Sequence, residues 1–156
     1  MKLVQRYADY GCAFALSFLS ACYERGEYFP KSEKKNLEYA EKAAENGAMD
    51  CVEYLIARCF KNGNYAGVLK WNRKGYELGD VRCAYNLGIA YCLGKGVTQD
   101  LEQGLKYLHE AKERDAASLG LPVDNAIRDF SASQKKGGCF GVILFFAFVV
   151  GVTLFF

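Results

Sequence analysis

A period of 32 to 36 residues constrains this chain more than any other feature. Gly11, Gly47 and Gly79 head three similar blocks, and Asp115 stands where a fourth would begin. Leu19, Leu55 and Leu87 each lie eight residues after the leading glycine, and Tyr23, Cys59 and Tyr91 lie twelve after it. Counting back from each following boundary aligns Leu37, Leu69 and Leu105, then Tyr39, Trp71 and Tyr107. Such self-similarity marks stacked repeat units, in which each unit buries its apolar face only against its neighbours.

Each block reads as two helices. In the first block Ala13, Leu16, Leu19, Ser20 and Tyr23 recur at offsets of three and four, which places them on one helical face. Gly26 breaks that helix and Pro30 prevents its continuation. A second helix is predicted from Glu33 to Asn46, with Leu37, Ala40 and Ala44 inward and Gly47 as terminator. Glu38 and Lys42 are spaced to pair on its exposed face. In the third block Gly94 and Gly96 end the first helix, and Asp100 is placed to cap the second. The middle block is shorter, and the loss falls in its loop near Asn62–Asn64. Residues 2 to 10 read as an orphan second helix that caps the front of the stack.

The C-terminus carries a different signal. Twenty uncharged residues run from Gly137 to Phe156, directly after Lys135 and Lys136. As a helix they would rise about 30 Å, one hydrocarbon core. Basic flanks favour the cytosolic side, so the expectation is a tail anchor at residues 137–156 with the repeat region (1–115) in the cytoplasm. A tether is expected at 116–136, with a short amphipathic helix over Val123–Phe130. Cys139, at the membrane border, is a candidate for acylation. The apolar run from Gly11 ends in Leu19-Ser20-Ala21-Cys22, which looks like an export cleavage box. Asp9 before it, and its place inside a repeat, argue against that reading.

The blocks resemble the Sel-one-like repeat, a relative of the tetratricopeptide repeat. The match is carried by Leu87, Gly88 and Tyr91, by Gly94 to Val97, and by the closing Ala43 to Gly47. It covers roughly residues 2 to 115. Block two departs from it: Ile56 replaces a small residue, Cys59 a tyrosine, and the loop is cut. The resemblance implies an all-α fold, a short right-handed α-solenoid of about three and a half helical hairpins. With the anchor added, one C-terminal transmembrane helix completes the expectation.

Little here speaks for chemistry. The net charge of +2 lacks the concentrated basic surface that a nucleic-acid partner requires. The single histidine, His109, excludes a two-histidine metal site and is expected on the solvated face of its helix. The seven cysteines form no Cys-x-x-Cys pair, so no zinc site is expected, and they read as reduced packing residues. Gly94-Lys95-Gly96 lacks the strand and Lys-Ser/Thr of a phosphate loop. No cofactor and no catalytic residue is expected.

What remains is a surface. The family implies that first helices line a concave groove for a protein or peptide. The outward positions on those helices are Ser17, Phe18, Glu53, Tyr54, Tyr85 and Asn86, flanked by Arg58 and Arg82. These are the candidate partner-binding residues; Phe18, Tyr54 and Tyr85 are of the aromatic type that anchors interfaces. The resemblance implies a scaffold or adaptor. The alternative is an immunity-type protein that neutralises a bacterial toxin.

Overall fold

The computed structural model describes residues 1–114 and 116–135. Eight helices occupy them: α1 (Lys2–Asp9), α2 (Ala13–Arg25), α3 (Glu33–Glu45), α4 (Met49–Lys61), α5 (Tyr65–Glu77), α6 (Val81–Leu93), α7 (Leu101–Glu113) and α8 (Val123–Lys135), with a 3-10 turn at Ala116–Leu119. Among the described residues there is no strand, and the fold is all-α.

Local chemistry sets the boundaries. Gly26 and Gly94 end α2 and α6 in the left-handed conformation, at φ 79° and 67°. Side chains cap four following helices. Ser32, Asn64, Asp80 and Asp100 accept from the backbone N–H of Lys35, Gly67, Cys83 and Gln103 at 3.3, 2.9, 3.1 and 2.9 Å. The i, i+4 pair of Glu38 and Lys42 forms at 2.8 Å. The shortened middle loop is confirmed: α4 ends at Lys61 and α5 starts at Tyr65.

Two compact units divide the chain, Met1–Asn62 and the residues from Gly63 onward. The division falls at the shortened loop of the middle block. In the first unit the α2–α3 hairpin packs between α1 and α4. Leu16, Leu19, Tyr23, Ala40, Ala43, Ala44, Val52 and Leu55 are buried there. Tyr23 stacks on Tyr39 at 5.6 Å and on Phe29 at 4.8 Å. Leu37, expected inward, is only half-buried.

The second unit repeats this plan, with the α6–α7 hairpin packed between α5 and α8. Tyr91 stacks on Tyr107 at 5.7 Å, the same pair of repeat positions as Tyr23 and Tyr39. Leu69, Leu87 and Ala90 form one cluster with half-buried Tyr76, Val97 and Tyr107 around it.

The crossing of the hairpin helices is solved differently in the two units. In α6–α7 it is made by two glycines. A Cβ on Gly88 would lie 2.7 Å from Leu108 Cγ, and one on Gly104 would lie 2.8 Å from the carbonyl oxygen of Gly88. In α2–α3 the same positions are Ser20 and Asn36, both buried. Asn36 Nδ2 donates to the Ser20 hydroxyl and carbonyl at 3.0 and 3.1 Å, and the Ser20 hydroxyl donates to the Asn36 carbonyl at 3.1 Å. Two buried polar side chains thus satisfy each other across the interface.

The expected tether at 116–136 requires correction over 116–135. These residues form the 3-10 turn and α8, which runs on to Lys135 rather than ending at Phe130. Val123, Ala126 and Phe130 are buried against α6, α7 and the turn, beside Ala84, Leu105, Leu108 and Ala111. Gly120 and Pro122 interrupt the helix, as read, but the segment beyond them carries an apolar stripe that docks. Among the described residues no helix is long and apolar enough to cross a membrane. The expected anchor, 137–156, and Cys139 lie outside the described residues.

Candidate functional site

In the first unit, the outward positions of α2 and α4 form a polar seam. The Ser17 hydroxyl donates to Asp50 Oδ2 at 2.5 Å. The Tyr54 hydroxyl donates to Asn36 Oδ1 at 2.7 Å, which joins α4 to the Ser20–Asn36 pair. Arg58 forms an ion pair with Glu33, and that contact raises its pKa against a smaller lowering from burial. Ser17, Tyr54 and Arg58 are half-buried, whereas Phe18 and Glu53 are exposed.

In the second unit Arg82 is exposed and pairs with Asp80 at 2.9 Å. Burial pushes the Asp80 carboxyl up. The Arg82 hydrogen bond and the Cys83 N–H outweigh it, and the net shift is downward. Asn86 donates to Asn72 Oδ1 at 3.1 Å. Tyr85 is half-buried and packs beside Ile127 against the clusters that contain Ala84, Ala126 and Phe130. Its hydroxyl pKa is raised by burial. Docking of α8 therefore places Tyr85 in the packing of the unit. Of the eight candidates, Ser17, Tyr54, Arg58, Tyr85 and Asn86 hold helices together within their units, and Phe18, Glu53 and Arg82 stay exposed.

Cys22, Cys51, Cys83 and Cys92 are buried packing groups. Burial, with the Asp100 charge adding to it, pushes the Cys92 thiol up to about 12, so it stays protonated near neutrality. His109 is exposed, as expected.

The feature that the sequence reading missed lies at the α1–α2 end of the first unit. Leu3, Val4 and Tyr7 of α1 face Phe14, Ala15 and Phe18 of α2 across an open apolar groove of about 400 Å³, with Cys12 at its edge. Phe14 is 80% exposed and Leu3 62%. Tyr28, 71% exposed, lies beside Phe18 with ring centroids 6.4 Å apart. Tyr28 is also the only non-glycine with positive φ among the described residues, at 63°. A signal for the groove did exist in the sequence. The third residue after each leading glycine is Phe14, Asp50 and Arg82: apolar once, where the other two blocks are charged.

Comparison with known proteins agrees with this division of the chain. Residues 13–47 and 81–115 match the Sel1 repeat, and these are the α2–α3 and α6–α7 hairpins with their terminators. A solved Sel1 repeat protein from Oxalobacter formigenes is similar to the chain at 26% identity and a TM-score of 0.58. That similarity covers 72% of this chain and 48% of the other. A protective antigen present in uropathogenic Escherichia coli strains, displaying an SLR fold, is similar at 25% identity and a TM-score of 0.51. It is covered over 24% of its length by 70% of this chain. The chain thus spans about half the length of the first relative and less of the second. No curated protein matches the chain. Proteins of Sel1 repeats generally mediate protein–protein interaction and are generally non-enzymatic scaffolds. Two hairpins of this chain thus match the Sel1 repeat, and the solved neighbours carry the same kind of repeat.

Proposed function

We propose that this chain is a non-enzymatic protein-binding module, a scaffold or adaptor displayed at the cytosolic side of a membrane by residues 137–156. The observation that carries the binding role is the apolar groove between α1 and α2. Phe14, Leu3 and Tyr7 are exposed there, at 80%, 62% and 54%. Contiguous exposed apolar surface of this kind marks interaction sites. Exposed Phe18 joins this groove to the first-helix face that the family uses for partners. Membrane display rests on the twenty uncharged residues after Lys136, which suffice to cross one hydrocarbon core. Anchoring would raise the effective concentration of the module for partners at the same surface.

The test is affinity purification from the native cell. Full-length protein is compared with a form stopped after Lys136 and with the double variant Phe14→Ser/Phe18→Ser. One stoichiometric partner, retained without the tail and lost with the serine variant, is the expected result. Membrane neighbours alone, all lost with the tail and indifferent to Phe14, would overturn the binding role.

A further inference from the structure

The inference rests on the binding role proposed above and names the chemistry of the partner. It starts from Tyr28. This residue holds a positive φ of 63°, a conformation that bulky side chains rarely take, and it does so while 71% exposed. Block three has Gly96 at the same place, at φ 74°, so the turn itself asks for glycine. The tyrosine ring gains a tilted contact with Phe18, with centroids 6.4 Å apart and planes at 42°. Burial within the unit does not account for a strained aromatic side chain held out into solvent. Backbone strain of this kind is concentrated at binding and catalytic sites.

The surroundings set the sign of the ligand. Phe18 and Tyr28 form an open aromatic plate where block three has Asn86 and Gly96. Ser17, next to Phe18, donates to Asp50 of α4 at 2.5 Å, which brings a carboxylate to this side of α2. Glu53 follows Asp50 by one turn of α4, Glu24 follows Ser17 by two turns of α2, and both are exposed. Glu27 directly precedes Tyr28 and is exposed too. Against these four carboxylates the same stretch sets Arg25 and Lys31, while Arg58 is already paired with Glu33. The seam beside the plate is therefore net acidic. Aromatic faces attract cations as carboxylates do, so plate and seam select the same charge.

We infer that the Phe18–Tyr28 plate binds a basic segment of a partner protein, with an arginine or lysine side chain laid on the exposed Tyr28 ring and further basic residues along Asp50, Glu53 and Glu24. The stem of such a side chain is apolar and its head is charged, which matches rings edged by carboxylates. Complementary charge speeds the encounter and rejects wrong partners. An anionic bilayer or a nucleic acid would meet the same carboxylates as repulsion.

The test uses the full chain in phosphatidylcholine nanodiscs and a phage-displayed library of short random peptides. The strongest binder is then synthesised and titrated by fluorescence anisotropy. Enriched peptides are expected to carry several arginines or lysines. Tyr28→Gly should weaken the titrated peptide about tenfold, the size typical of losing an interface anchor, while thermal unfolding moves to a higher temperature. Tyr28→Phe should retain binding. Glu24→Gln/Glu53→Gln should weaken it several-fold, as should raising salt to about 1 M, where charges are screened beyond about 3 Å. A purely structural Tyr28 would move stability and affinity in the same direction, and that result overturns the inference. So does a library that yields no binder, enrichment of acidic or uncharged peptides, or an affinity indifferent to Tyr28. If cellular capture of a partner needs Phe14 and Phe18 but neither Tyr28 nor the two glutamates, the binding role stands and the basic ligand is refuted. If capture ignores Phe14 and Phe18 as well, both fail.

Discussion

The Tyr54 hydroxyl of α4 donates a 2.7 Å hydrogen bond to Oδ1 of Asn36 on α3. Asn36 is 3% exposed, and its amide nitrogen is already committed to Ser20. The bond therefore satisfies the remaining polar atom of a buried side chain. Tyr54→Phe should lower unfolding stability by about 1–2 kcal/mol, the cost of stranding a buried acceptor. A denaturant midpoint that does not move would show that solvent replaces the hydroxyl. Because Tyr54 and Tyr85 both pack, replacing both by serine would act first on stability, and partner capture by that double variant would report folding.

Gly88 and Gly104 make the tightest helix crossing in the second unit. A Cβ at Gly104 would meet two backbone atoms, Cys92 N and Gly88 O, each at 2.8 Å. Neither can rotate away. A Cβ at Gly88 would meet chiefly the side chain of Leu108, at 2.7 and 2.9 Å, which has some freedom to turn. Gly104→Ala should therefore cost more than Gly88→Ala, about 3 kcal/mol against nearer 1, within the range for overpacked cores. Thermal unfolding of the two variants orders them, and the reverse order would contradict this account.

Tyr28 and Gly96 occupy the same place in blocks one and three, and both have positive φ, 63° and 74°. Glycine holds that conformation without strain, whereas a side chain costs about 1 kcal/mol. Tyr28 is 71% exposed and gives back a tilted ring contact with Phe18 at 6.4 Å. Tyr28→Gly should thus stabilise the chain by up to about 1 kcal/mol, seen as a melting point higher by a few degrees. At Gly96 the opposite holds, because a Cβ there would lie 2.6 Å from the carbonyl oxygen of Tyr65. If Tyr28→Gly destabilises, the Tyr28 ring contributes more than its exposure implies.

Asp80 caps α6 and pairs with Arg82, and its carboxyl pKa is lowered overall despite burial. A carboxylate with a depressed folded pKa contributes stability that is present above its unfolded value, about 3.9, and is lost as pH falls through the folded one. Asp80→Asn keeps a capping oxygen but removes that titration. The variant should lose less stability than wild type between pH 5 and pH 2. Parallel acid-unfolding curves would show that Asp80 is not among the groups responsible.

The repeat was readable because it imposes identity at spaced positions: Leu19 and Leu87, Tyr23 and Tyr91, and the caps Ser32 and Asp100 all fall where the period places them. The division between units was not read: Ile56, Cys59 and the short loop before Tyr65 stood out only as a departure of block two within one continuous solenoid. The groove was harder to see. Helix α2 is apolar on most of its circumference, so Phe14 does not stand out from Leu16 and Leu19 until blocks are compared position by position. Nor does any local signal tell an outward tyrosine from one covered later. Tyr85 is covered by α8, an element some forty residues on that breaks the repeat register.

That last element gives the sharpest test of the fold. Val123, Ala126 and Phe130 repeat at offsets of three and four on α8 and are 2%, 6% and 4% exposed. Phe130 lies in the cluster with Leu105, Leu108 and Cys92, so it closes the open side of the α6–α7 hairpin. Removing a buried phenyl ring costs about 3 kcal/mol or more. Phe130→Ala should therefore lower the midpoint of the second unit and expose the 3-10 turn to protease near Ser118 and Gly120. Arg128→Ala, on the exposed face of the same helix, should do neither. If Phe130→Ala leaves both stability and cleavage unchanged, residues 116–135 act as the flexible tether that their glycine and proline suggested, and α8 contributes no cap.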